Sequence, residues 1–354
     1  MIHSVLIGSG SNLPSRCITN DMLATVMETS DEWIRERTGV ETRYFVDPGV
    51  STLDLSVPAA ERAIEAAGVT AADIDMVVYA TMTPDHYMPG NGGLLQARLG
   101  LRTVPCFDIR QQCSGFIYAL QLADMQIRAG AARTVLVVGA EVHSIFMPFS
   151  HASWARLDGR VDEPIPEAEW SATTRNRHLA VLFGDGAAAV VVQASEQGDR
   201  GVIDHILCAA GHDWERLCVP GLGSAHRPYV DQAMLAREAH FPSMDGRFIF
   251  KMATLRMAEV SQEILKRNGV VPADLSMVLM HQANRRINEY VQKLLGLPDG
   301  KVIHNIQKYG NTTAATIPLL WDEAVRTGCI KAGDLVMCVG FGAGMTWGAN
   351  LIRA

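Results

Sequence analysis

The chain has 354 residues, 48% hydrophobic and 19% charged, which is ordinary globular composition and enough length for two domains or one large double core. Its net charge of −7 excludes a global basic field for nucleic acid or an acidic membrane, so an anionic partner would need a local cluster of Arg and Lys. No apolar run of roughly 18 residues offers a membrane span. The seven cysteines are scattered without a C-x-x-C pair, so reduced thiols in a cytoplasmic protein with no metal site are expected.

The opening "MIHSVLIGSGSNLP" reaches Gly-Ser-Gly after a short apolar stretch and lacks the regions of a secretory signal. Apolar β-type runs then alternate with helical patterns: "SVLIGSG" (4–10), an amphipathic segment at 58–67, "DMVVYATM" (75–82), "TVLVVGAE" (134–141) and "AAAVVVQA" (187–194). The rhythm resumes with "GVIDHILCAAG" (201–211), a helix at 254–267, "SMVLMHQA" (276–283), "KVIHNI" (301–306) and "DLVMCVGFG" (334–342). Buried strands crossed over by helices predict a layered α/β fold.

The chain also resembles itself. "GVTAADIDMVV" (68–78) matches "GVVPADLSMVL" (269–279) at an offset of 201, and "CSGFIYALQLADMQIRAG" (113–130) aligns with "NTTAATIPLLWDEAVRTG" (311–328) at an offset of 198. Two pseudo-symmetric halves are expected, 1–197 and 198–354. On this alignment Cys113 and Asn311 occupy equivalent strand-to-helix joints facing a shared centre.

Three polar groups at the ends of core segments stand out. Cys113 lies where "FDIR" gives way to a helical pattern, a place where a helix start lowers a thiol's pKa and offers free N–H groups. His281 closes the apolar run "MVLM", and an imidazole beside a thiol can hold its proton. Asn311 with His281 can give two N–H donors to a carbonyl oxygen that becomes an enolate. The glycine-rich "GFGAGMTWG" (340–348) runs into a strand, so it is no dinucleotide fingerprint, but its backbone can bring a second N–H to an acyl oxygen beside that of Cys113. The set suits acyl transfer followed by carbon–carbon bond formation.

These segments, with "TSDEWIRERTGV" (29–40), "FGDGAAAVV" (183–191), "HQANRRI" (281–287) and "YGNTTAATIP" (309–318), resemble the β-ketoacyl-[acyl-carrier-protein] synthase III family of thiolase-like condensing enzymes, over nearly the whole chain. The resemblance implies a five-layered αβαβα fold and a homodimer. It implies that Cys113 takes an acyl group from acyl-CoA, with the N–H groups of Cys113 and Ala343 as oxyanion hole. His281 and Asn311 would stabilise the enolate formed as malonyl-acyl carrier protein loses CO₂, with no metal or redox cofactor. Trp33, Arg37, Arg177 and Asn284 match coenzyme A contacts, with an adenine sandwiched between Trp33 and Arg177. Arg285 and Arg286 match the carrier-protein docking patch, and Met88, Met244 and Phe250 the acyl pocket, Met88 being offered by the partner subunit. The alternative within the superfamily is an enzyme that condenses two long acyl groups, or passes its acyl group to an oxygen or nitrogen nucleophile without decarboxylation.

Three departures from the family pattern bear on substrate. Insertions at about 144–178 and 212–243 carry Phe146, Met147, Phe149, Trp154, Trp170, Trp214 and Phe241, enough apolar mass to rebuild an acyl pocket. Met88 stands where the housekeeping enzyme has Phe, which favours a deeper or differently shaped pocket. Ala343 replaces the middle glycine of the usual triple-glycine turn, and Gln111-Gln112 precede Cys113.

Overall fold

A computed structural model of the protein describes residues 2–161 and 164–354. Two sheets form its frame, each drawn from one side of the 195–201 connection. The first holds β1 (His3–Asn12), β2 (Met76–Ala80), β3 (Cys106–Ile109), β4 (Thr134–Glu141) and β5 (Gly186–Ser195) in the order β1-β5-β4-β2-β3. The second holds β6 (Gly201–Ala209), β7 (Met277–Met280), β8 (Leu335–Gly342) and β9 (Thr346–Arg353) in the order β6-β9-β8-β7. In both sheets the first two pairings are antiparallel and the next parallel. β2 pairs in parallel with β3, whereas at the matching edge of the second sheet there is only a single parallel bridge, Val278 to Val302.

That bridge is all that remains of the strand expected at 301–306. Gln282 accounts for the difference, because its Oε1 accepts the N–H groups of Asn305 and Ile306, each at 3.3 Å, and draws them out of a ladder.

Helices fill three layers around the sheets. α1 (Asp31–Thr38) stands apart, capped by Ser30 and closed by Gly39 at φ 79°. α2 (Thr52–Ala66) and α3 (Asn91–Arg98) cover the outer face of the first sheet. α2 starts six residues before the amphipathic stretch because Ser51 and Asp54 form a reciprocal cap at its N-terminus. α5 (Gly246–Arg267) and α6 (Arg285–Leu294) form the outer layer on the second sheet. Between the sheets lie α4 (Gly115–Arg128) and α7 (Thr316–Arg326), which gives the five-layered αβαβα arrangement. One continuous core runs through this middle, from Val78 and Val135 through Phe116 and Trp321 to Leu279 and Val336.

The two central helices tie each half to the other by the same device. Asp124 on α4 bonds Arg128 one turn on (2.8 Å) and His205 on β6 (3.2 Å). Asp322 on α7 bonds Arg326 (2.9 Å) and the Ser9 and Ser11 hydroxyls on β1 (2.9 and 2.6 Å). These are the Asp and Arg positions matched by the 198 offset. The helix starts follow the 201 offset instead: a 3-10 turn at 112–114 precedes α4, and one at 313–315 precedes α7. α7 is three residues shorter than α4, so each offset holds at one end of the helix. The structural counterpart of Cys113 is therefore Ala314, and Asn311 lies three residues upstream of it, a correction to the equivalence expected from the sequence.

None of the described residues of the 144–178 insertion lines the cavity described below. Met147, Phe149 and Trp154 pack on Phe45 of the hairpin Arg16–Thr19/Thr42–Phe45 and form a satellite core with Leu23 and Leu179.

Candidate active site

Cys113, His281 and Asn311 line one internal cavity of about 150 Å³. Cys113 sits in the 3-10 turn ahead of α4, straight after Gln112, a non-glycine residue held at φ 44°. Its remaining exposed surface opens into the cavity. The backbone N–H groups of Cys113 and Ala343 both donate to its sulfur. Burial nevertheless pushes the thiol up to about 12, and the carboxylate of Glu141 adds to the rise; the two N–H bonds only partly offset it. The lowering expected of a helix start is thus reversed, because desolvation of a thiolate outweighs two hydrogen bonds.

His281 follows the last residue of β7 and continues its pairing, its N–H donating to Val339 O at 2.9 Å. Its Nδ1 lies 2.6 Å from the Thr316 hydroxyl, while Nε2 is buried with no protein partner. Burial holds the imidazole down at about 3, so it is neutral at ordinary pH. Asn311 is laid between two backbone bonds, to Leu182 O (2.9 Å) and from Gly184 N–H (3.1 Å). Its Oδ1 accepts the Thr313 N–H at 2.8 Å, which fixes the amide and keeps its NH₂ as the group available for other partners.

Met244 and Phe250 also line the cavity, as do Asn284 and Leu217. Leu217 and Met244 face each other across the two-stranded pairing at the neck of the second insertion, so only that neck borders the cavity. Among the aromatic and Met residues of the two insertions, none of the seven expected to rebuild a pocket is in its wall. Trp214 is instead half exposed, and Met88 is 82% exposed on the surface, outside this chain's own cavity.

The arginines gather where the cavity reaches the surface. Asn284 caps α6 through Oδ1, accepting from Arg286 N–H (2.9 Å), and its Nδ2 donates to Arg37 O (2.9 Å). Arg286 lies 5.9 Å from the Phe250 ring, and Arg285 is paired with Glu289 at 2.8 Å. Arg37 and Arg177 each sit over the Trp33 ring, 4.5 Å from its centre. Arg177 therefore stacks directly on Trp33, with Nη1 also donating to Glu28 O at 2.5 Å. An adenine between the two would require that guanidinium to move aside.

Comparison with known proteins decides what the cavity belongs to. The profile of 3-oxoacyl-[acyl-carrier-protein (ACP)] synthase III matches residues 107–158 and 169–211, and that of its C-terminal part matches 265–354. The β-ketoacyl-[acyl-carrier-protein] synthase III of Rhodospirillum centenum is 40% identical, over 99% of both chains. The chain belongs to this family. The 3-oxoacyl-[acyl-carrier-protein] synthase III of Aquifex aeolicus superposes with a TM-score of 0.83 at 37% identity, covering 99% of this chain and 100% of the other. The priming β-ketosynthase of the R1128 polyketide pathway superposes at 0.84 with 30% identity, covering 99% and 96%. The fold is accordingly the thiolase-like one, and the chain is a condensing acyltransferase of the synthase III type.

Two residues of this synthase site escaped the sequence reading. Thr316 holds the back of the His281 ring, and only its place five residues after Asn311 could have hinted at it. Glu141 is fully buried at the end of β4, where its carboxylate accepts from Thr81, Met82 and Thr83 at 2.6–3.2 Å and from the Ala314 N–H. Burial pushes it up to about 7, partly offset by those bonds. Its signal was present as the one acidic residue in "TVLVVGAEV". Among the described residues no cluster of three His, Cys, Asp or Glu suits a metal ion, and no helix is long and apolar enough to cross a membrane.

Proposed function

We propose that the chain makes 3-oxoacyl-acyl carrier protein in two steps at Cys113. In the first, Cys113 sulfur attacks the thioester carbonyl of an acyl-CoA. The thiol proton passes to His281 Nε2 and on to the leaving CoA thiolate, giving acyl-Cys113 and free CoA. The N–H groups of Cys113 and Ala343 hold the oxyanion. In the second, malonyl-acyl carrier protein loses CO₂, and its enolate, held by the Asn311 amide and His281 Nε2–H, attacks the acyl carbonyl. The Cys113 thiolate leaves and takes a proton from solvent.

The single observation that carries this reading is the convergence of Cys113, His281 and Asn311 on one cavity, with two backbone N–H groups already aimed at the sulfur. The partnerless Nε2 supports it, since a buried ring nitrogen without a partner is costly unless a ligand or the thiol uses it. Thr316 suits both steps, because a hydroxyl on Nδ1 can accept while Nε2 takes a proton and donate while Nε2–H holds the enolate. Neither step transfers electrons, and loss of CO₂ drives the second, so no metal or redox cofactor is called for.

Met244, Phe250 and Asn284 line the way from Cys113 to Arg37 and Trp33. This lining supports contact of Met244 and Phe250 with the acyl thioester, whether with its acyl group or with its incoming arm. Trp33, Arg37 and Arg177 form the coenzyme A platform, and Arg285 and Arg286 the docking spot for an acidic carrier protein. The enzyme works as a cytoplasmic homodimer. Supporting this, β3 is an open sheet edge with Phe107 40% exposed, Met88 projects from the surface nearby, and all seven cysteines are free.

The test is intact-mass measurement of the chain offered a panel of acyl-CoAs. An adduct on Cys113 with at least one donor is expected, and its chain length names the substrate class. No adduct with any donor overturns the first step.

A further inference from the structure

The two donors of the Cys113 oxyanion hole come from opposite halves of the molecule, one from the turn ahead of α4 and one from the β8–β9 turn. Something must hold those turns in register, because an oxyanion hole works only when each N–H lies about 2.7–3.1 Å from the developing charge.

Two hydroxyls bridge the seam. Ser114 Oγ and Thr346 Oγ1 are 2.7 Å apart, both buried. Ser114 donates to Gln111 O at 2.9 Å, which leaves its oxygen as an acceptor for Thr346. The Thr346 hydroxyl also lies 3.1 Å from Ala343 O and 3.5 Å from Gln111 O. Apart from the Ala343 N–H on the Cys113 sulfur, the contacts of Thr346 with Ser114 Oγ and Gln111 O are the only side-chain hydrogen bonds between 111–114 and 342–346 among the described residues. The backbones there are pressed together: a Cβ on Gly342 would meet Cys113 N at 3.0 Å and Ser114 N at 3.1 Å.

We propose that Ser114 and Thr346 form a hydroxyl clamp whose role is to position the Ala343 N–H against the reacting centre on Cys113. Thr346 reaches the carbonyl of Ala343, so it restrains from its C-terminal side the residue whose N–H is the second donor. The β8–β9 hairpin does not need the clamp to form, since those strands pair from Leu335–Arg353 through Gly342–Thr346. Both hydroxyls are positioning groups and touch no substrate. The proposal rests on the oxyanion-hole reading above.

The test separates the two half-reactions. Acylation of Cys113 uses this hole, whereas release of CO₂ from malonyl-acyl carrier protein without an acyl donor uses His281 and Asn311. Thr346→Val, which keeps the shape and removes the hydroxyl, is expected to slow acylation about 10- to 100-fold, with CO₂ release within about twofold of the parent. Thr346→Ser is expected to restore acylation to within about threefold. Ser114→Ala, which removes one partner and frees the Thr346 proton for the Ala343 carbonyl, is expected to fall between them, and it carries the test if the valine variant does not fold. Unchanged acylation in Thr346→Val and Ser114→Ala, or an equal fall in both half-reactions, overturns the clamp. Either result leaves the proposed function intact as long as the parent enzyme still acquires its adduct; if the parent does not, the underlying reading fails first.

Discussion

The joint that carries Cys113 and the joint that follows Asn311 share one plan and use it differently. Each has a 3-10 turn with one non-glycine residue in the left-handed region, Gln112 at φ 44° and Thr313 at φ 51°, and then a helix running between the sheets. At the first joint the N–H of Cys113 points to its own sulfur, the group proposed to react. At the second, the N–H of its counterpart Ala314 goes to Glu141, a buried carboxyl that does not. One copy opens its thiol into the cavity; the other is a wall that steadies the loop bearing Asn311 and the segment 81–83. The two joints share one geometry, and the three-residue difference in helix length sets the Asn311 amide upstream of the second.

Making the first joint resemble the second is the harshest test. Cys113→Ala should abolish the acyl adduct and lower turnover by more than about 10³-fold, while CO₂ release from malonyl-acyl carrier protein persists. Loss of both would mean that the joints are not divided as described. Asn311→Ala should do the converse, keeping acylation and slowing CO₂ release about 10²–10³-fold; equal losses would contradict the assigned roles.

Glu141 lets the second joint be read by pH. Its folded value of about 7 is raised, so the stability that it contributes is fully present below its unfolded value near 4.5 and is lost as pH rises through 7, roughly 3 kcal/mol in all. Glu141→Gln should cost stability at pH 5, since its NH₂ would face the Met82 and Thr83 N–H groups. The gap to the parent should then narrow by about that amount by pH 8, as followed by urea melts. A gap independent of pH would show that Glu141 is ionised throughout. The smallest effect tests how tightly the joints touch. A Cβ on Gly115 would meet those of Ala314 and Ala80 at 3.1 Å each, so Gly115→Ala should destabilise by about 1–2 kcal/mol with the acylation rate retained.

Much of this was readable beforehand where apolar pattern alone decides. β4 and β8 are unbroken buried runs, β5 is buried through Val192, and Cys113, His281 and Asn311 lie at ends of core segments. What escaped depends on three-dimensional partners. The strand at 301–306 gave way to the carboxamide of Gln282, and the thiol of Cys113 rose because burial is not visible in a string of letters. Phe149 and Trp154 looked available to the substrate, yet the hairpin that claims them is some hundred residues earlier in the chain. Arg177 lies directly over Trp33, and no gap between them could be read from the sequence.

The open rim of β3 has a last consequence. Cys113 lies four residues beyond it, and Met88 faces outward, away from the pit of its own chain. If two copies meet at that rim, each pit is a joint possession, and defects in different copies should cure one another. A Cys113→Ala chain and a Met88→Trp chain, each idle when pure, would recover one working centre per mixed pair.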